Sequence, residues 1–362
     1  MRQRLAEKLL LKIMQWDVDE VQVERPMLQA ISNFKYDEYR QFSPGMLFLG
    51  SLTSWLRQFE TLEERRIAYS FVKSQLVFIS ENQVQQLVSL AFSDAVQPFL
   101  LTKTGNELEI DPYKINEIYH SATYKNNKRK TLFIGLSDGS RIDFFRRISG
   151  LNNEQVFSTY YISEEKSADL QKELKKDGHE KFNSIFLIDD FTASGKSYFR
   201  QEDRKYKGKI FKFIDFLLHP EDYKDISLQE LIDLDSLEIN VLFYIATEDA
   251  KDYLEMSIAK WKKETGSSII INIKVIQIIP NSIKISKAQN KEFFDLMIKY
   301  FDESIIDVHY EKGKHDEPYL GFNECSLPLV LNHNTPNNSL PILWFPDDKK
   351  YRGLFPRITR HF

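Results

Sequence analysis

The stretch Ser184 to Ser197, Ser-Ile-Phe-Leu-Ile-Asp-Asp-Phe-Thr-Ala-Ser-Gly-Lys-Ser, constrains this chain more than any other. Ile185 to Ile188 is a continuous apolar run with helical patterns on both sides, which predicts a strand buried on both faces of a parallel sheet. Asp189 and Asp190 close the run. Acids are costly to bury, so the pair belongs at the carboxyl end of the strand, where open α/β sheets bind ligands. Thr192-Ala193-Ser194-Gly195-Lys196-Ser197 then predicts a loop leading into the next helix. Such a loop offers backbone N–H groups, hydroxyls and a lysine to a phosphate.

Gly195-Lys196-Ser197 has the ending of a P-loop, but that motif needs a glycine five residues before Gly195, and Asp190 stands there. An apolar strand, two acids, two variable residues, small hydroxyl residues and a glycine instead resemble the PRPP-binding loop of type I phosphoribosyltransferases. Ile188 to Gly195 follows that order, with Phe191, Thr192 and Lys196 as departures. The resemblance implies that Asp189 and Asp190 face the ribose as catalytic residues. It also implies that Thr192, Ala193, Ser194, Gly195, Lys196 and Ser197 wrap the 5′-phosphate, and that Mg2+ travels with the diphosphate rather than in a protein-owned metal site. In that family the first core strand ends in a short loop on the pyrophosphate, which makes Ser137, Asp138 and Gly139, after the apolar run Thr131 to Leu136, the matching positions.

The surrounding chain supports a doubly wound, mostly parallel α/β sheet of phosphoribosyltransferase type behind an all-helical amino-terminal domain. Residues 1–105 read as helices, with Leu5, Leu9, Ile13 and Trp16 on one face. Residues 106–130 read as a linker, broken at Asp111-Pro112 and ending in the basic run Lys125 to Lys130, which we expect to be a solvated loop. Residues 131–362 form the α/β domain. A helix over Arg141 to Ile148, a strand over Val156 to Ile162 and a helix over Glu164 to Lys176, capped by Ser163 and ended by Gly178, precede the acid-bearing strand. This interval lacks the long lid loop of familiar transferases. After the loop come a charged piece from Arg200 to Lys209, a helix around Ile210 to Leu218 and a capping box at Ser227 to Glu230. Strands over Val241 to Ala246 and Ile269 to Ile279 follow, with a helix opened by Thr247-Glu248-Asp249 between them. A strand over Leu327 to Leu331 leads into the Asn332 to Trp344 segment. This segment, with the run to Arg360, resembles the ending of a phosphoribosyltransferase-like family associated with bacterial conflict and anti-phage systems.

Composition narrows the remaining classes. A net charge of −4 over 362 residues gives no basic field for nucleic acid, and no apolar run reaches the ~20 residues of a membrane span. Cys325 stands alone, and the histidines at 120, 179, 219, 309, 315, 333 and 361 show no metal-binding spacing. We expect a cytoplasmic protein that binds PRPP or a ribose-5-phosphate nucleotide and transfers the phosphoribosyl group to an unnamed acceptor. The alternative is a non-catalytic nucleotide-sensing effector or regulatory subunit of a bacterial defence system, whose helical part docks on a partner protein.

Overall fold

The computed structural model describes residues 3–223, 228–311 and 316–357. Its strands, in chain order, are β1 (Val77–Ile79), β2 (Thr131–Gly135), β3 (Val156–Phe157), β4 (Ser184–Thr192), β5 (Arg200–Glu202), β6 (Lys205–Lys207), β7 (Glu238–Thr247), β8 (Ile270–Ile279) and β9 (Leu329–Leu331). By contacts the chain forms two compact units: residues 85–280, and residues 1–84 together with 281–362.

The first of these is the α/β unit. Its five strands lie in the order β3-β2-β4-β7-β8, all parallel, so the α/β class expected from the sequence is the one observed. The acid-bearing strand β4 is central, and Ser184 to Asp189 are buried. Alternation along the strands sends Ile185, Leu187, Ile239, Val241 and Phe243 into a core completed by Phe213, Ile214 and Leu217 of the helix Lys209–Leu218. The opposite face carries Phe133, stacked on Phe186, which meets Phe99 of the helix Gln97–Leu108 edge-on.

The helix boundaries follow local chemistry. The Ser163 hydroxyl accepts from Lys166 N to start Glu164–Lys176, and Thr247 accepts from Ala250 N to start Glu248–Thr265. Three expectations change. The predicted strand Val156 to Ile162 pairs only over Val156–Phe157, because Tyr160 and Tyr161 leave the sheet to pack on Phe213 and Phe216. The basic run is no loop: it lies on the helix Ala122–Arg129, where Asn127 is buried against Glu107 and Arg129 pairs with Asp177 at 2.5 Å. Residues 106–130 also hold the helix Ile115–His120. Finally, the loop after the acids does not run into a helix. It turns into the antiparallel hairpin β5–β6, and the helix begins only at Lys209. Of the predicted capping box, Ser227 lies outside the described residues.

The second unit is mostly helical, but the amino-terminal part, expected to be all-helical, also carries the strand β1. Phe71 stacks on Phe293 at 3.9 Å, and Phe355 gathers Tyr36, Tyr39, Phe42, Phe48 and Phe78. The strand predicted over Leu327 to Leu331 belongs here as β9, pairing in parallel with β1. Five side chains of the Asn332–Trp344 segment bond within this unit. Asn332 donates to Glu81 (2.6 Å), Thr335 to Phe355 O, Asn338 to Phe322 O (2.9 Å), Ser339 to Leu329 O (2.6 Å) and Trp344 to Ser339 O (2.8 Å). His315, His361 and the end of the terminal run past Arg357 lie outside the described residues. Among the described residues no helix is long and apolar enough to cross a membrane.

Candidate functional site

Within the sheet the chain visits β2 first, crosses to β3 on one side and then returns to β4 on the other. The carboxyl ends of β2 and β4 therefore flank the point where strand order reverses, the place where open α/β sheets leave a ligand crevice. Register sharpens its position. Gly135, the last residue of β2, pairs with Ile188, and Leu136 N donates to Ile188 O at 2.9 Å. β4 then runs on through Asp189, Asp190, Phe191 and Thr192, still paired with β7 as far as Thr192 with Ala246. The acids thus stand on a strand with a neighbour on one side and a loop, residues 137–140, on the other.

That loop touches both acids. The Ser137 hydroxyl donates to Asp189 Oδ1, and Gly139 packs so closely on Asp190 that a Cβ there would lie 2.5 Å from Oδ2. Asp138 is exposed beside them. Behind the loop, Tyr244 of β7 donates to Ser140 O at 2.8 Å, and burial together with the charges of Asp190 and Asp189 pushes its hydroxyl pKa well up.

Asp189 is fully buried. Tyr198 donates its hydroxyl to Asp189 Oδ2 at 2.8 Å, Lys209 Nζ lies 2.7 Å from the same oxygen, and Asp190 N donates to Oδ1 at 3.1 Å. Burial and the neighbouring Asp190 raise its pKa, while Lys209 and Ser137 oppose the rise. Converging donors serve the ionised form of a carboxylate. The Lys209 ammonium also lies 4.9 Å from the Tyr198 ring centre, a cation–π contact. Asp190 is half-buried, with Phe191 N donating to its Oδ1 at 2.8 Å.

The loop from Thr192 to Ser197 is tightly folded. Gly195 has φ +70°, and its N–H donates to Thr192 Oγ1 at 3.1 Å; the amides of Tyr198 and Phe199 both donate to Gly195 O. A side chain at Gly195 would strike Tyr253 and Leu254 within 3 Å. Thr247 ties the loop to β7 by donating to Ala193 O at 2.6 Å, and Arg200 of the hairpin donates to Lys196 O at 3.2 Å. Thr192 and Ala193 are buried, whereas Ser194 and Lys196 are half-buried and Ser197 is exposed.

The structure thus gathers Ser137, Gly139, Asp189 and Asp190 at one end of the sheet, with the 192–197 loop continuing from the same strand. Tyr198, Lys209 and Tyr244 join them without any sequence signal of a role at the site, and Thr247, legible in the sequence only as a helix cap, joins them through its bond to Ala193 O. Among the described residues no group of three or more His, Cys, Asp or Glu side chains could hold a metal ion.

Comparison with known families gives one match: the model of the family described as PRTase-CE covers residues 52–357. No curated protein and no solved structure matches the chain.

Proposed function

This chain belongs to the PRTase-CE family and carries a phosphoribosyltransferase-like domain; on that premise we propose that its α/β unit binds PRPP or a related ribose-5-phosphate nucleotide. The observation that carries this reading is the acid pair and small-residue loop at the end of β4, beside the strand-order reversal. Loop 192–197, with its hydroxyls and Lys196, would take the 5′-phosphate. The acid-bearing end of β4 would lie towards the ribose, and the turn Ser137-Asp138-Gly139 towards the diphosphate. Mg2+ would enter with the diphosphate, whose oxygens suit a hard cation, and would neutralise its charge.

In transfer, the C1–O bond to pyrophosphate breaks with its electron pair leaving on the diphosphate, and a lone pair of the acceptor forms the new bond to C1. The protein would contribute position and charge: a carboxylate beside the ribose favours the positive charge that develops at C1. A second reading, binding without transfer, is favoured by the interval between β3 and β4. The capped helix Glu164–Lys176 occupies it, in place of a lid that excludes water. Such a module would serve as a nucleotide sensor, with a protein partner and a defence setting as its proposed context.

Isothermal titration with PRPP and Mg2+, using wild type and Asp190→Asn, tests the binding they share. Saturable heat in wild type, weakened in the variant, supports it, and no binding of any ribose phosphate overturns both readings. Pyrophosphate release in the presence of candidate bases separates transfer from sensing.

A further inference from the structure

Resting on the ribose-phosphate reading, we infer that the two adjacent acids are not equivalent: Asp189 is a positioning residue that does not meet the ligand, and Asp190 presents the carboxylate that does. Successive side chains of a strand leave opposite faces, and Asp189 and Asp190 both lie inside β4. They therefore enter different surroundings.

An ionised carboxylate has about four acceptor positions. Asp189 has four donors on them: the Ser137 hydroxyl and Asp190 N on Oδ1, the Tyr198 hydroxyl and Lys209 Nζ on Oδ2. Its side chain has no exposed surface. A ribose hydroxyl could reach it only by displacing one of these donors and leaving it unpaired, the costliest state for a buried polar group. Three of the donors come from separate segments. Ser137 belongs to the turn after β2, Tyr198 follows the 192–197 loop, and Lys209 begins the helix Lys209–Leu218. One carboxylate thus fixes the turn and the loop that flank the crevice, and its charge is compensated by Lys209, whose side chain is partly exposed. Asp190 faces the other way, half-buried against the Cα of Gly139.

The test is a charge-compensation series in the full chain, with urea unfolding for stability and titration with PRPP and Mg2+ for affinity. Asp190→Asn is expected to unfold at the wild-type urea concentration and to bind at least about tenfold more weakly. Lys209→Met, which leaves Asp189 buried and uncompensated, is expected to unfold earlier and to weaken binding by a similar factor, because the turn and loop lose their common anchor. Asp189→Asn combined with Lys209→Met removes both charges and is expected to recover most of the lost stability, with affinity within about threefold of wild type. Tyr198→Phe keeps the ring and removes one donor, and is expected to lower stability while leaving affinity within the same factor.

A folded double variant that binds as poorly as Asp190→Asn would overturn the inference, since Asp189 would then be a ligand contact. So would a double variant that does not fold, or one no more stable than Lys209→Met, because the anchor would then be something other than this charge pair. If wild type itself binds no ribose phosphate, the functional reading fails, and the urea series alone still decides whether Asp189 and Lys209 are coupled.

Discussion

Gly139→Ala places one methyl group whose three nearest atoms all belong to the Asp190 carboxyl, which makes it a direct probe of the crevice. The added Cβ would lie 2.5 Å from Asp190 Oδ2, 2.8 Å from Cγ and 3.0 Å from Oδ1. These are all well inside van der Waals contact, so the carboxylate must shift by roughly 1 Å, a misplacement that in a positioned site costs up to about 100-fold. Gly139 does not have a positive φ, so alanine meets no backbone penalty there. Asp190 is half-buried and can turn away, giving up its bond from Phe191 N at a net cost of about 1 kcal/mol. With residual overpacking, the expected loss of stability is about 1–2 kcal/mol. The affinity for PRPP with Mg2+ should fall about 10- to 100-fold by titration. Gly150→Ala is the matched control: φ there is +58° with open space around the position, so it should cost about 1 kcal/mol through the backbone alone and leave affinity intact. Equal affinity losses in the two variants would refute the argument, as would wild-type binding by Gly139→Ala.

Other substitutions probe what holds the site and the second unit together. Gly208→Ala should be severe, about 3 kcal/mol or more, because φ is +116° and the new Cβ would lie 2.3 Å from Tyr198 O, a backbone atom unable to yield; near-wild-type urea unfolding would contradict this. Thr247→Ala removes both the cap of the helix Glu248–Thr265 and the bond to Ala193 O, for about 1–3 kcal/mol, and hydrogen exchange should show faster opening at Ala193 and Ala250. In the helical unit, burial pushes Glu64 up, but bonds from Lys299, Thr61 N and Tyr300 outweigh it and bring its pKa down to about 2. A depressed carboxylate stabilises the fold above its unfolded pKa and loses that contribution as pH falls. Between pH 4.5 and about 2 this group should therefore surrender about 2 kcal/mol, a slope that Glu64→Gln removes in acid unfolding curves.

The central strands of the sheet were readable because a strand covered on both faces is mostly apolar, and Ile185 to Ile188 and Val241 to Ala246 are short continuous apolar runs of strand length. Helix starts were readable where one hydroxyl does the capping, at Ser163 and Thr247. The hairpin was hidden for the converse reason. Its turn residues Asp203 and Arg204 have φ of +52° and +64°, in a region normally advertised by glycine or asparagine, and the chain carries neither there. Missing the hairpin also hid Lys209, since only the return of the chain through β5 and β6 brings that lysine back to the acid it pairs with. The strand Leu329–Leu331 was legible as a strand but not as a partner of β1, because a parallel pair joining residues about 250 apart leaves no local trace.

The acid pair shows where such a limit bears on function. Two carboxylates after an apolar run look like the end of a strand, and side chains in a turn can converge on one ligand. The ladder to β7 continues past both of them, so Asp189 and Asp190 keep the alternation of a strand and diverge. Their difference arises from register alone. Shifting β4 by one residue would bury Asp190 among Lys209, Tyr198 and Ser137 and turn Asp189 towards Gly139, so the site depends on the pairing of Ile188 with Gly135 as much as on the two acids themselves.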